Sequence, residues 1–327
     1  MPLRVFFDLS RQEEWHRREW ERTLGALSRD KNENIAIESS GALADVVVNT
    51  MAPQIADALP PGRKRSRLDR KVITWDAADF PTGRYSGLYC SLDKRLFDAG
   101  RHATFCYPIS YNEVVDFTPL ETASVDFSFH GGITSGVRQK IVALWQGWGK
   151  FNATCVVQGG PWKSMFDRSG LDVKVRYAEG ISKSRFVICP RGNGHGSIRL
   201  FEVLKAGRVP VIISDRYVLP PHIDWTSCAI VVPEIDVAAL PEIVAAHMPR
   251  WSAMAATARR TWEEHFSSDG LLTYMGSIIP AIAKAAAGED ETLGQYVTRT
   301  ASLAGISAAL YAKPRIGRLV HKIRRAG

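Results

Sequence analysis

Residues 186–216 constrain this chain more than any other stretch. Residues 186–189 (Phe-Val-Ile-Cys) are a continuous apolar run, followed by the polar loop Pro190-Arg191-Gly192-Asn193-Gly194-His195-Gly196-Ser197. Residues 198–205 then carry helical periodicity, and residues 209–213 (Val-Pro-Val-Ile-Ile) form a second apolar run. Apolar run, glycine-rich loop, helix and apolar run predict one βαβ unit with parallel strands buried on both faces. Such units cross over right-handed and keep their ligands beyond the C-terminal ends of the strands. The loop therefore lies where a ligand is expected.

The rest of the chain alternates in the same manner, and its 327 residues suit two domains. In the first part, strands are expected at 3–8, 46–49, 71–75 and 104–107, with a charged helix at 11–28 and a helical stretch at 54–58. Trp15, Trp20, Leu24 and Leu27 are the apolar positions of the charged helix. The chain leaves this domain near residues 121–124. The second part predicts strands at 125–129, 153–158, 173–176, 186–189, 209–213 and 229–232. Its helices are expected at 135–145, just before Phe186, and at 197–206, 237–247, 251–265 and 271–287. The expected division is 1–122 for a first domain, 123–287 for a second domain and 288–327 for a helical basic tail. Tandem α/β domains of this kind set two ligand edges face to face across a cleft.

Composition narrows the class. With 45% hydrophobic and 23% charged residues the chain is neither disordered nor fibrous. No apolar run approaches the roughly 20 residues that span a bilayer, and residues 1–20 are not a secretory leader. Five scattered cysteines without a C-x-x-C pair argue against a disulfide framework or zinc site and for free thiols in the cytoplasm. Six of the eight net positive charges lie in residues 313–327, leaving +2 for residues 1–312. That tail, with Ile316, Leu319, Val320 and Ile323 between its cations, suits an anionic membrane surface or a helix packed back on the first domain. A second basic run occupies residues 63–67. Neither run is accompanied by a nucleic-acid recognition motif, so no nucleic-acid partner is expected.

The chemistry starts from the loop. Glycines at 192, 194 and 196 let backbone amides approach an anion, and the helix beginning at Ser197 points free N–H groups and its positive dipole end at the same place. Arg199 and Glu202 share one face of that helix, expected to look onto a cleft edge or a partner, while Ile198, Phe201 and Leu204 pack inward. A carboxylate one turn inside a phosphate-binding helix suits the two hydroxyls of a ribose, so the segment fits a nucleoside diphosphate. A nicotinamide-binding loop is the rival, with Asp215 lying 19 residues beyond Gly196, but the G-x-G-x-G spacing and Pro190-Arg191 fit it poorly. No Asp-x-Asp occurs, so a metal-held diphosphate is not expected, and arginines take that role. Asp76 and Asp79, just past the C-terminal end of the 71–75 strand, stand where a doubly wound domain keeps functional groups, and Glu113 is a further carboxylate of this part. His130, beside Gly131 and Gly132, and His195 in the loop are candidate contacts to phosphate or acceptor. No Gly-x-Ser-x-Gly supports a hydrolase.

Phe-x-x-Cys-Pro-Arg-Gly at 186–192, then Arg-Leu-x-Glu-x-Leu-x-Ala-Gly-x-x-Pro-Val-Ile-Ile-Ser-Asp-x-Tyr-x-Leu-Pro at 199–220 and Ile223-Asp224-Trp225, resembles the exostosin-like glycosyltransferases. The likeness extends from Ser184 to Val244, and residues 127–132 with Arg138 loosely repeat the family's upstream strand end and arginine. The resemblance implies a GT-B-type α/β architecture, two Rossmann-like parallel-sheet domains facing across a cleft. It implies inverting, metal-independent transfer from a nucleotide-sugar, taken as UDP-linked, to a saccharide or lipid-linked glycan hydroxyl, with no cofactor beyond that co-substrate. Glu202 would hold the donor ribose, and Arg191 and Arg199 would neutralise the diphosphate. The loop Gly192, Asn193, Gly194, His195, Gly196 and Ser197, with His130, Gly131 and Arg138, would complete the donor site. The chain departs from animal and plant relatives in lacking an N-terminal membrane helix, which implies a cytoplasmic enzyme of surface polysaccharide synthesis, peripheral on the inner face of the membrane. The implied transfer would also need a base from the first domain, Asp76 or Asp79 with Glu113 as second choice. The alternatives are a non-catalytic nucleotide- or saccharide-binding module that has lost its base and an NAD-dependent oxidoreductase.

Overall fold

A computed structural model of the protein describes residues 1–10, 14–27, 32–50, 71–83, 85–108, 112–157 and 171–288. The expected helix at 54–58, the basic run at 63–67 and the basic tail lie outside these residues. The chain begins with β1 (Leu3–Asp8), α1 (Glu14–Leu27), β2 (Ile35–Ile37), β3 (Val46–Asn49), β4 (Val72–Asp76), β5 (Gly87–Tyr89) and β6 (His102–Thr104). These six strands form one parallel sheet in the order β2-β1-β3-β4-β5-β6. Then come β7 (Val125–Gly131), α2 (Gly136–Leu144), β8 (Ala153–Val157), α3 (Leu171–Ser182), β9 (Ser184–Pro190), α4 (Ile198–Lys205), β10 (Val209–Ile213) and β11 (Ile230–Val232). Their five strands form a second parallel sheet, β11-β10-β9-β7-β8. Helices α5 (Leu240–His247), α6 (Trp251–His265) and α7 (Ser268–Gly288) close the described chain. The fold is α/β, with two parallel sheets.

The central βαβ unit forms as its pattern requires. Every residue of β10 is buried, and Val211 pairs with Ile188 and Ile213 with Pro190 on β9. Leu200, Phe201, Val203 and Leu204 of α4 are buried against the sheet and α6. In the second sheet β8 lies on one side of β7 and β9 on the other. The chain therefore reverses direction across the sheet between β7 and β9, and this switch point opens a crevice at their C-terminal ends.

The two halves share one apolar cluster. It runs from Val5, Val48 and Trp75 of the first sheet into Leu200, Phe201, Ile212 and the last two helices. Trp20 of α1 meets Trp75 edge-on at 4.8 Å, and Phe105 stacks on Tyr274 of α7 at 5.3 Å. Helix α7 packs on α1, β2, β4, β5 and β6. Residues 268–288, read from sequence as part of the 123–287 domain, therefore return to the first sheet. Helix α7 also corrects the expectation that no stretch is long and apolar enough to cross a membrane. By length and composition Ser268–Ala287 passes, yet half of it is buried in this core.

Other differences have local causes. Residues 173–176, expected as a strand, lie in α3, where Tyr177 and Ile181 four residues apart bury one face. That packing outweighs the β-branched pattern of Val173 and Val175. The strand expected at 104–107 is β6, three residues long and shifted toward the N-terminus. Beyond it, the Cys106 carbonyl accepts from the Trp75 indole N–H at 3.1 Å rather than from a strand. Strands β2 and β5 went unread because each has only three residues.

The segment joining the halves is held by Arg208, a wholly buried guanidinium at the start of β10. It donates to the carbonyls of Ser182, Thr118, Pro119 and Gly207 and to the Thr122 hydroxyl, at 2.6–3.0 Å. Burial lowers its pKa to about 10, so it remains charged at neutral pH.

Candidate active site at the sheet switch point

Strand β7 ends at Gly131, whose φ of 154° no side chain would tolerate well and whose missing Cβ leaves room for the Arg199 guanidinium. Arg199 reaches back from the first turn of α4 and donates through Nη2 to the His130 carbonyl. Its guanidinium lies 5.2 Å from the centre of the Phe129 ring and 5.8 Å from that of Tyr177. The residue is 5% exposed, and its Nε and Nη1 have no hydrogen-bond partner among the described residues. The His130 ring lies against Gly180 of α3, in the space a Cβ there would fill, and its Nε2 is likewise buried and unpartnered. Burial, then the charge of Arg199, depresses the His130 pKa to about 4, so the ring is neutral at pH 7.

Arg138 binds the two strand ends together. Ser135 caps α2 and donates from its hydroxyl to the Arg191 carbonyl at 2.9 Å. Arg138 donates to the carbonyls of Arg191, Gly132 and Pro190 at 3.0, 3.1 and 3.2 Å. Burial and Arg199 push its pKa down to about 9, which still leaves it cationic. Two cations and a neutral imidazole thus share the crevice at the ends of β7 and β9.

Glu202 and Arg199, expected to look onto a cleft edge or a partner, are both buried beside that crevice, so they offer no exposed surface to a partner. The Glu202 carboxylate accepts from the Asn112 backbone N–H at 3.0 Å and from the Tyr177 hydroxyl at 2.6 Å. Burial raises its pKa against the opposing effect of those two bonds and of Arg199. Arg191 is engaged elsewhere: its guanidinium forms a two-point pair with Glu234, at 2.6 and 3.2 Å. Ser197 occupies the N-cap of α4 in extended conformation without a side-chain cap bond.

The glycine loop has a different neighbour from the one its composition suggests. A Cβ at Gly194 would meet Ser91 Oγ and the Asp79 backbone; one at Gly196 would meet the Cys90 carbonyl. The Gly196 N–H donates to Ser91 Oγ at 2.9 Å. The absent side chains therefore admit the first half of the chain. Only Gly192 faces the arginines, with Arg138 Nη2 3.5 Å from an added Cβ. His195 Nε2 lies 3.0 Å from an oxygen of the wholly buried Asp93. Asn193 reaches Asp79 at 3.4 Å.

Asp76 is the last residue of β4, 4% exposed, and accepts the Ala78 N–H at 2.9 Å. Burial raises its pKa to about 6. Asp79 is exposed on the following loop and faces the donor loop through Asn193. Glu113 pairs with Lys174 at 2.8 Å, away from both aspartates. Asp215, the acid of the nicotinamide alternative, accepts the Glu234 N–H at 2.8 Å. Among the described residues no three of His, Cys, Asp and Glu converge as metal ligands do. Tyr177, Ser91, Asp93 and Glu234 were not legible as site residues, because their partners are distant in sequence and no spacing links them.

Comparison with known proteins finds a likeness around this crevice. Residues 119–247 match the exostosin GT47 domain. An exostosin-1 homolog of Caenorhabditis elegans is 39% identical over 95 residues, 28% of this chain and 25% of that protein. Exostosin-1 of Drosophila melanogaster is 32% identical over 145 residues, 42% of this chain and 19% of that protein. The match thus spans a quarter or less of these relatives. A glycosyltransferase structure from Rickettsia africae superposes over 88% of this chain and 100% of its own at 10% identity and a TM-score of 0.46. Anabaena Alr3699/HepE in complex with UDP and glucose does so over 86% and 100%, at 9% identity and 0.43. Residues 119–247 hold β7, β9, the glycine loop and α4, so the likeness falls on the elements that form this crevice.

Proposed function

We propose that the chain is a glycosyltransferase that moves a sugar from a UDP-linked donor to a saccharide or lipid-linked hydroxyl with inversion. The observation that carries this reading is Arg199, a buried cation with two unpartnered nitrogens at the switch point of an exostosin-like domain. A diphosphate would satisfy both nitrogens by charge-assisted bonds, with Arg138 adding a second positive charge. In the transition state these groups would stabilise the charge growing on the departing nucleotide, without requiring a metal. His130, held neutral, would leave that field undiluted and present a ring nitrogen to the donor. Arg191 would act indirectly, by fixing the loop through Glu234.

Glu202 would hold the ribose if ribose hydroxyls replace the Tyr177 hydroxyl and the Asn112 N–H. For transfer, the acceptor oxygen attacks the anomeric carbon, the bond to the diphosphate oxygen breaks, and a carboxylate takes the acceptor proton. Asp79 is the better placed of the two candidates, being exposed and beside the loop, with Asp76 beneath it at the strand end. A cytoplasmic setting, acceptors of surface polysaccharide synthesis and a membrane contact through residues 313–327 belong to the same proposal.

The test is titration calorimetry with UDP, GDP, CMP and NAD(H), followed by turnover of UDP-sugars with and without chelator. UDP binding without NAD(H) binding is expected, and the reverse would overturn the reading. Asp79→Asn should lower turnover about 10²- to 10⁴-fold at unchanged UDP affinity. If Asp76→Asn alone does so, the base is Asp76.

A further inference from the structure

Behind the donor loop lies a second polar cluster that the proposed transfer does not use. Asp93 follows β5, is wholly buried, and lies in the first half of the chain. Its carboxylate accepts from the Arg95 backbone N–H at 2.9 Å and from the Arg95 guanidinium at 3.0 and 2.7 Å. One oxygen faces His195 Nε2 at 3.0 Å and Arg216 Nη1 at 3.7 Å. Both of the latter residues belong to the second half. The backbones join as well: Asp93 forms an antiparallel bridge with Tyr217, and the Lys94 N–H donates to the Arg216 carbonyl at 2.9 Å. Two residues before Asp93, Ser91 Oγ accepts the Gly196 N–H. Residues 90–95 are thus keyed into the donor loop at the very glycines whose missing side chains admit them.

The chemistry of His195 follows from its partner. Asp93 holds no proton to give, so Nε2 must be the donor and carry the hydrogen. The other ring nitrogen, Nδ1, is then an acceptor, and it is buried without a hydrogen-bond partner among the described residues. A carboxylate that orients a histidine and fixes which nitrogen accepts is a recognised way to tune a ligand contact through a second residue. A fully buried carboxylate with its donors drawn from both halves also sets the register of one half on the other.

We propose that Asp93 is a positioning residue. Through His195 it seats the donor loop against the first half of the chain and fixes the imidazole tautomer that leaves Nδ1 as an acceptor toward the bound donor. The ligand in this statement rests on the function proposed above; the seating and the tautomer do not.

The experiment has three readouts on the full chain: ¹⁵N shifts of His195, hydrogen exchange of the 192–197 peptide, and UDP affinity. In the unaltered protein, protonated Nε2 and bare Nδ1 are expected. Asp93→Asn should populate the other tautomer and speed exchange at 192–197 about tenfold, with β1 and α6 unchanged. It should also weaken UDP binding about tenfold, or about 1.4 kcal/mol. His195→Gln should have similar effects on exchange and affinity, and the double variant should be no worse than either single one, because the two residues act as one unit. A proton on Nδ1 in the unaltered protein, unchanged exchange in Asp93→Asn, or additive losses in the double variant would each overturn the proposal. Should Asp93→Asn fail to fold, Ser91→Ala and His195→Gln decide it: faster loop exchange in both supports the seating, and unchanged exchange in both removes it. If the unaltered protein binds no UDP, the donor reading falls alone, and tautomer and exchange still judge Asp93.

Discussion

Two polar clusters lie at the same edge of the second sheet and differ in one respect. Around Asp93, a buried carboxylate is surrounded by donors from Arg95, His195 and Arg216. Around Arg199, a buried guanidinium retains two nitrogens without hydrogen-bond partners among the described residues, and the adjacent His130 retains one. A satisfied buried network fixes geometry, whereas leaving a buried donor unmet costs about 1–3 kcal/mol, more when it is charged. Such a cost is tolerated where a ligand removes it. The Asp93 cluster therefore reads as architecture and the Arg199 cluster as a binding site, although the glycine pattern of the loop points to the former.

The largest effect should separate these roles at Arg199 itself. Arg199→Met keeps much of the apolar contact with Phe129 and Tyr177 but removes both free donors. Two charge-assisted bonds at about 1.5–3 kcal/mol each imply a loss of UDP affinity of about 100-fold or more by calorimetry. An affinity near that of the unaltered protein would mean that the unpartnered nitrogens are not a diphosphate site, and the contrast between the clusters would lose its functional meaning.

Glu202 sharpens the contrast because it belongs to both kinds of group. Its oxygens are satisfied by protein donors, as at Asp93, yet it stands one turn from Arg199. If ribose replaces those donors, Glu202→Ala weakens UDP about tenfold, and Tyr177→Phe, which removes only the protein competitor, does not weaken it. If Glu202 is instead architecture, the melting temperature falls in both variants while nucleotide affinity stays put.

How much of this was legible follows from the range of each interaction. The β9–loop–α4–β10 unit declared itself because its apolar periods, glycines and helix start are local. Asp76 at a strand end was legible for the same reason. The pairs Asp93–His195, Arg191–Glu234 and Tyr177–Glu202 were not, since each joins residues that only the tertiary fold brings together. The neighbours of Gly194 and Gly196 were illegible on the same ground: composition shows that a close approach is needed and does not say by what. Helix α7 was found in sequence, but its packing on the first sheet was not, because an apolar helix carries no address.

The net pH dependence of stability from these two residues is small, because its sign is opposite at the two sites. His130 has its pKa depressed from near 6.5 to about 4, so the unfolded chain binds the proton first as pH falls. Stability is therefore lost between about pH 6.5 and 4, by about 3 kcal/mol from this residue. Asp76 has its pKa raised from 3.8 to about 6, so the folded chain binds the proton first. Between about pH 6 and 4 it returns stability by a similar amount, about 3 kcal/mol at the low end. The two contributions nearly cancel across that window, whatever slope the remaining groups add. Asp76→Asn removes only the second, so its stability relative to the unaltered protein should worsen progressively as pH falls from 6 to 4, read by urea unfolding at each pH. A constant difference across the window would show that Asp76 is not the buried, proton-accepting carboxylate that a base at the end of β4 would need to be.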